Sequence, residues 1–128
     1  MIARPVDPAA DGSPMTAAEL FDLLWATLSD LLGSAAAATL LRRGTKSLLV
    51  HRPELDGLLI TRDGLEYRYV TPDSWRVFSE ETLSALRDLA RELSPILLDL
   101  TGVVVAHRLD NIDQFRRNDI RFAPGRPQ

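Results

Sequence analysis

The sequence predicts an α+β fold, mainly helical, with the order helix–helix–β-hairpin–helix–helix in a single domain. Three observations carry the prediction. Apolar residues recur at helical spacing in two separate stretches, 16–33 and 80–93. Between them, residues 57–70 read as a hairpin turning on Asp63-Gly64. The chain has 128 residues, 45% hydrophobic and 26% charged, enough to bury one core of ordinary size.

Residues 1–14 carry Pro5, Pro8, Pro14 and Gly12 with few large apolar groups. They are expected to form a disordered N-terminal segment. The helical domain with its central hairpin then spans 15–112.

Thr16 opens the first helix. Thr16 and Glu19 have capping-box spacing, and Met15 with Leu20 has the spacing of a hydrophobic staple. Leu20, Phe21, Leu24, Trp25, Leu28, Leu31 and Leu32 share one face of a helical wheel, opposite Asp22, Ala26, Ser29 and Asp30. Gly33 suits the C-terminal cap.

Ser34 is expected to cap a second helix running from Ala35 to about Lys46. Ala35 to Ala38 are strong helix formers whose small side chains permit close approach. Arg42, Arg43 and Lys46 complement the helix dipole near its end. Leu48-Leu49-Val50 extends this helix or begins a short strand. Pro53 breaks the connection that follows.

The hairpin reading at 57–70 rests on Asp-Gly, a dipeptide suited to a two-residue type I′ turn. That turn pairs Arg62 with Leu65, Ile60 with Tyr67 and Leu58 with Tyr69. Leu58, Ile60, Leu65, Tyr67 and Tyr69 then form a covered face, and Thr61, Glu66 and Arg68 an exposed one. A lone hairpin is marginal in water, so helix one or the late helices must cover it. Its free edges invite a second copy across a dimer axis.

Trp75, Val77 and Phe78 are apolar anchors in the next linker. Ser79 caps a third helix with Glu80 and Glu81 in its first turn. Leu83, Leu86, Leu89, Ala90 and Leu93 form its stripe. Ser94-Pro95 either starts a fourth helix or kinks one long helix. Residues 96–109 read as a buried helix, apolar nearly all round, with strand as the alternative at Val103-Val104-Val105. As a helix it would place Gly102 and Ala106 on one side for close packing. Residues 113–128 form a partly docked tail with Arg116, Arg117, Arg121 and Arg126, anchored by Phe115, Ile120 and Phe122.

Composition narrows the function classes. The net charge is −3 and evenly spread, so neither nucleic acid nor an anionic membrane is an expected partner. No apolar run approaches the roughly 18 residues of a membrane span. The absence of cysteine removes disulfides and thiolate chemistry and fits a cytoplasmic location. Lys46 is the only lysine beside many arginines, alanines and leucines, which suggests a GC-rich bacterial genome.

Four groups of residues are candidates for chemistry. His107 and Asp110 have i,i+3 spacing, a weak metal signal because a site needs three or four ligands. Asp99 interrupts an apolar segment, as a perturbed carboxylate or as part of a wetter stripe leading to Asp110. Tyr67, Tyr69 and Trp75, with Asp99, could line a ligand pocket; core packing is the plainer reading of the aromatic residues. Arg42, Arg43, Lys46 and Arg52 form a basic patch that reads first as a solvated helix end. The chain has no nucleophile elbow, Walker loop or Gly-x-Gly-x-x-Gly turn. No catalytic residue and no cofactor is assigned.

The expected function is therefore a small non-enzymatic bacterial regulatory or adaptor protein acting through protein contacts, as a homodimer. The alternative is a small-ligand sensor with a pocket between hairpin and helices. A minor hydrolase or lyase using Asp99 or His107 ranks third.

Overall fold

A computed structural model of the protein describes residues 15–123. Segment 1–14, expected to be disordered, and residues 124–128 lie outside these residues. The fold is α+β and mainly helical, with one two-stranded antiparallel hairpin between helical pairs.

Helix α1 spans Ala17–Leu32. The Thr16 hydroxyl accepts from the Glu19 N–H at 3.1 Å, and the Glu19 carboxylate accepts from the Thr16 N–H at 2.9 Å. The capping box therefore forms in full. Leu20, Phe21, Leu24 and Leu28 are buried; Trp25, Leu31 and Leu32 are partly so.

Helix α2 spans Ser34–Leu49. Its cap is Gly33, whose carbonyl accepts from the Ala37 N–H at 3.0 Å, so Ser34 is the first helical residue rather than the cap. Leu48 and Leu49 continue the helix. Ala37 and Ala38 are buried while Ala35 and Ala36 face solvent. Gly44 lies inside the helix and is buried against Leu89 and Leu93. It serves a helix–helix contact. Lacking a side chain there makes room for the Leu93 and Leu89 methyls.

A 3₁₀ turn over Pro53–Gly57 leads to β1 (Leu59–Asp63), which pairs with β2 (Glu66–Val70). The partners are Leu59 with Val70, Ile60 with Tyr69, and Arg62 with Tyr67. The connecting residues are therefore Gly64-Leu65, one step beyond the expected Asp63-Gly64. The reason lies in the backbone. A type I′ turn needs positive φ at both central residues, yet only Gly64 of this segment has it, at 66°. Glycine with positive φ at the first central position instead suits a Gly-X turn. This slides the register by two residues, which preserves the faces. Leu58 and Ile60 are buried, Tyr67 and Tyr69 half-buried, and Thr61, Glu66 and Arg68 exposed. Leu65 is the exception: placed in the turn, it is 91% exposed instead of covered.

α1 and α2 cover the hairpin. The Tyr69 ring packs against Phe21 and Trp25, each at 5.1 Å between centroids. The Arg42 Nε–H of α2 donates to the Ile60 carbonyl at 3.0 Å.

A second 3₁₀ turn, Asp73–Arg76, buries Trp75 completely, whereas Val77 and Phe78 stay largely exposed. Only one of the three linker anchors therefore reaches the core. Helix α3 runs Glu80–Thr101, and Ser79 caps it by accepting from the Thr82 N–H at 3.1 Å. Pro95 lies inside this one long helix, so Ser94 starts no new one.

The break comes instead at Gly102, where φ is 68°. Helix α4, Val103–Asp110, follows, so 103–105 is helical rather than strand. This short helix buries only Val105, Ala106 and Leu109. Leu100, Val103 and Val104 are exposed, contrary to the expectation of a helix buried all round. Gly102 is outside both helices, and a Cβ there would meet nothing within 4 Å, so it makes no pair with Ala106.

Helix α5, Asp113–Arg117, was not anticipated. Phe115, Ile120 and Phe122 are buried, with the two rings 5.3 Å apart. The Asp110 carboxylate accepts from the N–H groups of Phe122 at 2.7 Å and Ala123 at 3.1 Å. The Arg87 Nε–H of α3 donates to the Asn118 carbonyl at 2.8 Å.

Candidate functional site

The sequence suggested an aromatic site, and the structure distributes its members. Trp75 is fully buried, 6.1 Å from Phe21 in edge-to-face packing; its indole N–H has no partner among the described residues. Tyr69 belongs to the same aromatic cluster through Phe21. Its hydroxyl donates to Asp22 Oδ1 at 2.6 Å. Burial, then the bond and charge of Asp22, raise its pKa well above the ordinary phenol value. Tyr67 lies elsewhere on the covered face, with the Arg62 guanidinium 5.9 Å above its ring. Asp99 is exposed on α3, on the wetter stripe.

His107 is exposed near the end of α4, while Asp110 holds the tail backbone. Among the described residues, no group of three or more His, Cys, Asp or Glu side chains converges as a metal site. Nor is any described helix long and apolar enough to cross a membrane.

The basic patch separates into distinct roles. Arg52 binds Asp88 through Nε at 3.0 Å and a terminal nitrogen at 2.9 Å, and donates to Ser84 at 2.8 Å. It ties the connection after α2 to α3. Arg43 faces solvent. Arg42 and Lys46 turn toward the hairpin, where a pocket was expected but with other residues lining it.

There, a groove of about 340 Å³ opens between α2 and β1. Arg42, Thr45, Lys46 and Leu49 form its helical wall. Their i, i+3, i+4, i+7 spacing aligns them on one face of α2. The 3₁₀ turn and β1 supply Leu55, Leu58, Leu59 and Ile60, with Asp56 at the rim. Two cations thus stand opposite an aliphatic wall. The helical spacing was visible in sequence, but its partner wall depends on the hairpin's placement.

On the hairpin's solvent side, Leu59 and Val70 are paired across the strands and are 53% and 58% exposed. No backbone hydrogen bond joins the outer edge of β2 to another described element.

Comparison with protein-family models, with curated proteins and with solved structures gives no match for the chain.

Proposed function

We propose that the chain is a small non-enzymatic regulatory or adaptor protein that acts through protein–protein contacts, as a homodimer in the bacterial cytoplasm. The observation carrying this reading is the exposed Leu59–Val70 pair on the outer face of the hairpin. Each side chain leaves apolar surface in water that a partner would remove, with a gain of about 25 cal/mol per Å² buried. The unbonded edge of β2 beside it supplies backbone donors and acceptors for strand addition. Arg68, which reaches toward Asp63 and Glu66 at 3.8 and 3.7 Å, provides a charged rim. The cysteine-free sequence supports the cytoplasmic part of the proposal.

Sedimentation velocity across micromolar concentrations tests the reading. The parent protein is expected to associate reversibly as a dimer, and Leu59→Glu with Val70→Glu to sediment as a monomer with unchanged helicity. A parent that remains monomeric throughout overturns the homodimer.

A further inference from the structure

The two strands of the hairpin differ in what they offer a further strand. A two-residue turn is closed by a hydrogen-bonded pair, here Asp63 and Glu66. Such pairs alternate along an antiparallel ladder, so Tyr67 and Tyr69 aim their backbone N–H and C=O groups away from β1. The same parity turns the Ile60 carbonyl outward on β1, where Arg42 takes it at 3.0 Å. The corresponding groups of Tyr67 and Tyr69 have no backbone partner among the described residues. A strand joining β2 therefore bonds to these two residues.

Charge indicates which strand fits. Asp63 lies directly across from Glu66, a pair of carboxylates that repel. Arg68 approaches them only at 3.8 and 3.7 Å, and all three side chains are largely exposed. Glu66 therefore has room for a second counter-charge. Along β2, Glu66-Tyr67-Arg68 reads negative, neutral, positive. An antiparallel copy of the same segment reads positive, neutral, negative beside it, so the strand is complementary to itself.

A two-fold axis allows few registers of this pairing. An axis at Arg68 sets two guanidinium groups side by side, and one at Glu66 sets two carboxylates. An axis at Tyr69 places Arg68 opposite Val70 and leaves Glu66 without a counter-charge. An axis at Tyr67 places Glu66 opposite Arg68 of the second copy, and Arg68 opposite its Glu66. Both are non-hydrogen-bonded pairs, in which side chains lie closest. The same register brings Leu65, 91% exposed in the turn, opposite Tyr69 of the second copy. It also sets Val70, 58% exposed, against the turn of the second copy at Gly64, where no side chain intervenes.

We propose that β2 pairs antiparallel with β2 of a second copy in this register, with Tyr67 on the axis. Two two-stranded sheets then join in the order β1-β2-β2-β1. This pairing rests on the dimer reading and specifies its contact.

Sedimentation velocity on charge variants of the full chain tests it. Glu66→Arg and Arg68→Glu are each expected to raise the dimer Kd by about tenfold, because the axis repeats each change. The double variant Glu66→Arg/Arg68→Glu restores both pairs and is expected to return Kd to within about threefold of the parent. Tyr67→Cys supplies a second readout, since the chain has no cysteine of its own. Hydrogen-bonded partners stand about 5.5 Å apart at Cα, within disulfide reach. Tyr67→Cys is therefore expected to cross-link under mild oxidation faster than Arg68→Cys. A double variant that fails to recover, or faster cross-linking at position 68, overturns this pairing and leaves the dimer standing. A parent that stays monomeric, its β2 edge left to a foreign strand, overturns both.

Discussion

Gly44 of α2 faces Leu93 of α3 so closely that a Cβ at position 44 would stand 2.6 Å from Leu93 Cδ2. Leu93 is fully buried, which limits where that methyl can move. Gly44→Ala gains about 1 kcal/mol in helix propensity. It also forces repacking at a contact where overpacking costs about 1–3 kcal/mol. The expected balance is a loss of about 1 kcal/mol and a Tm lower by about 2–6 °C, read by thermal denaturation. A higher Tm would show that the two helices have room to spare.

Tyr69 and Asp22 predict a dependence on alkaline pH. The unfolded phenol ionises near its model value of 10.0, and the folded one only at higher pH. The folded state therefore holds the proton more tightly. Its contribution is complete below pH 10 and is lost as pH climbs from there through the raised folded pKa. Tyr69→Phe is expected to cost about 0.5–1.5 kcal/mol at neutral pH. Urea denaturation at pH 7 and pH 11 should show the gap between parent and variant narrowing at the higher pH. A constant gap would contradict the assignment.

Pro95 predicts a stabilising substitution. It lies inside α3 and is exposed. Without an N–H it leaves the Arg91 carbonyl lacking its regular helical donor. Pro95→Ala restores that donor with little loss of packing. The expected gain is about 1–3 kcal/mol, measured by chemical denaturation. A neutral or harmful result would mean that the packing of α3 depends on the proline.

Asp110 predicts a local unlatching. Its two oxygens hold the backbone of Phe122 and Ala123, and charged acceptors make strong hydrogen bonds. In Asp110→Ala, amide exchange at 120–123 should accelerate by at least about tenfold, while amides in α1 hold their protection. Uniform acceleration across the chain would instead make the latch essential to the whole fold.

Local signals in the sequence were strong where chemistry is local. The Thr16–Glu19 box, the Ser79 cap and the stripe from Leu83 to Leu93 all form as their spacing implies. The hairpin's faces were legible because side-chain alternation survives a two-residue slide. Its register was not, since Asp63 and Leu65 compete to flank Gly64 and only the backbone angle decides. The α3–α4 boundary was obscured by two candidate breakers seven residues apart: Pro95 is accommodated and Gly102 is not. The role of Gly44 was not legible because the reason for it, Leu93, lies across a tertiary contact.

The lining of the groove was illegible for the same reason. Arg42, Thr45 and Lys46 read as an ordinary solvated helix end until Leu58 and Ile60 stand beside them. The aromatic residues drew attention through their rarity, yet Trp75 and Tyr69 chiefly join α1 to the segments around the hairpin.

The bond from Arg42 to the Ile60 carbonyl also makes the two edges of the hairpin unlike. Ile60 offers a backbone acceptor on the outer side of β1, and a free strand side is a template for fibril growth. The guanidinium occupies that acceptor and places a solvated charge in the path of an incoming strand. The β1 edge is thus partly capped by a side chain, whereas no backbone hydrogen bond joins the β2 edge to another described element.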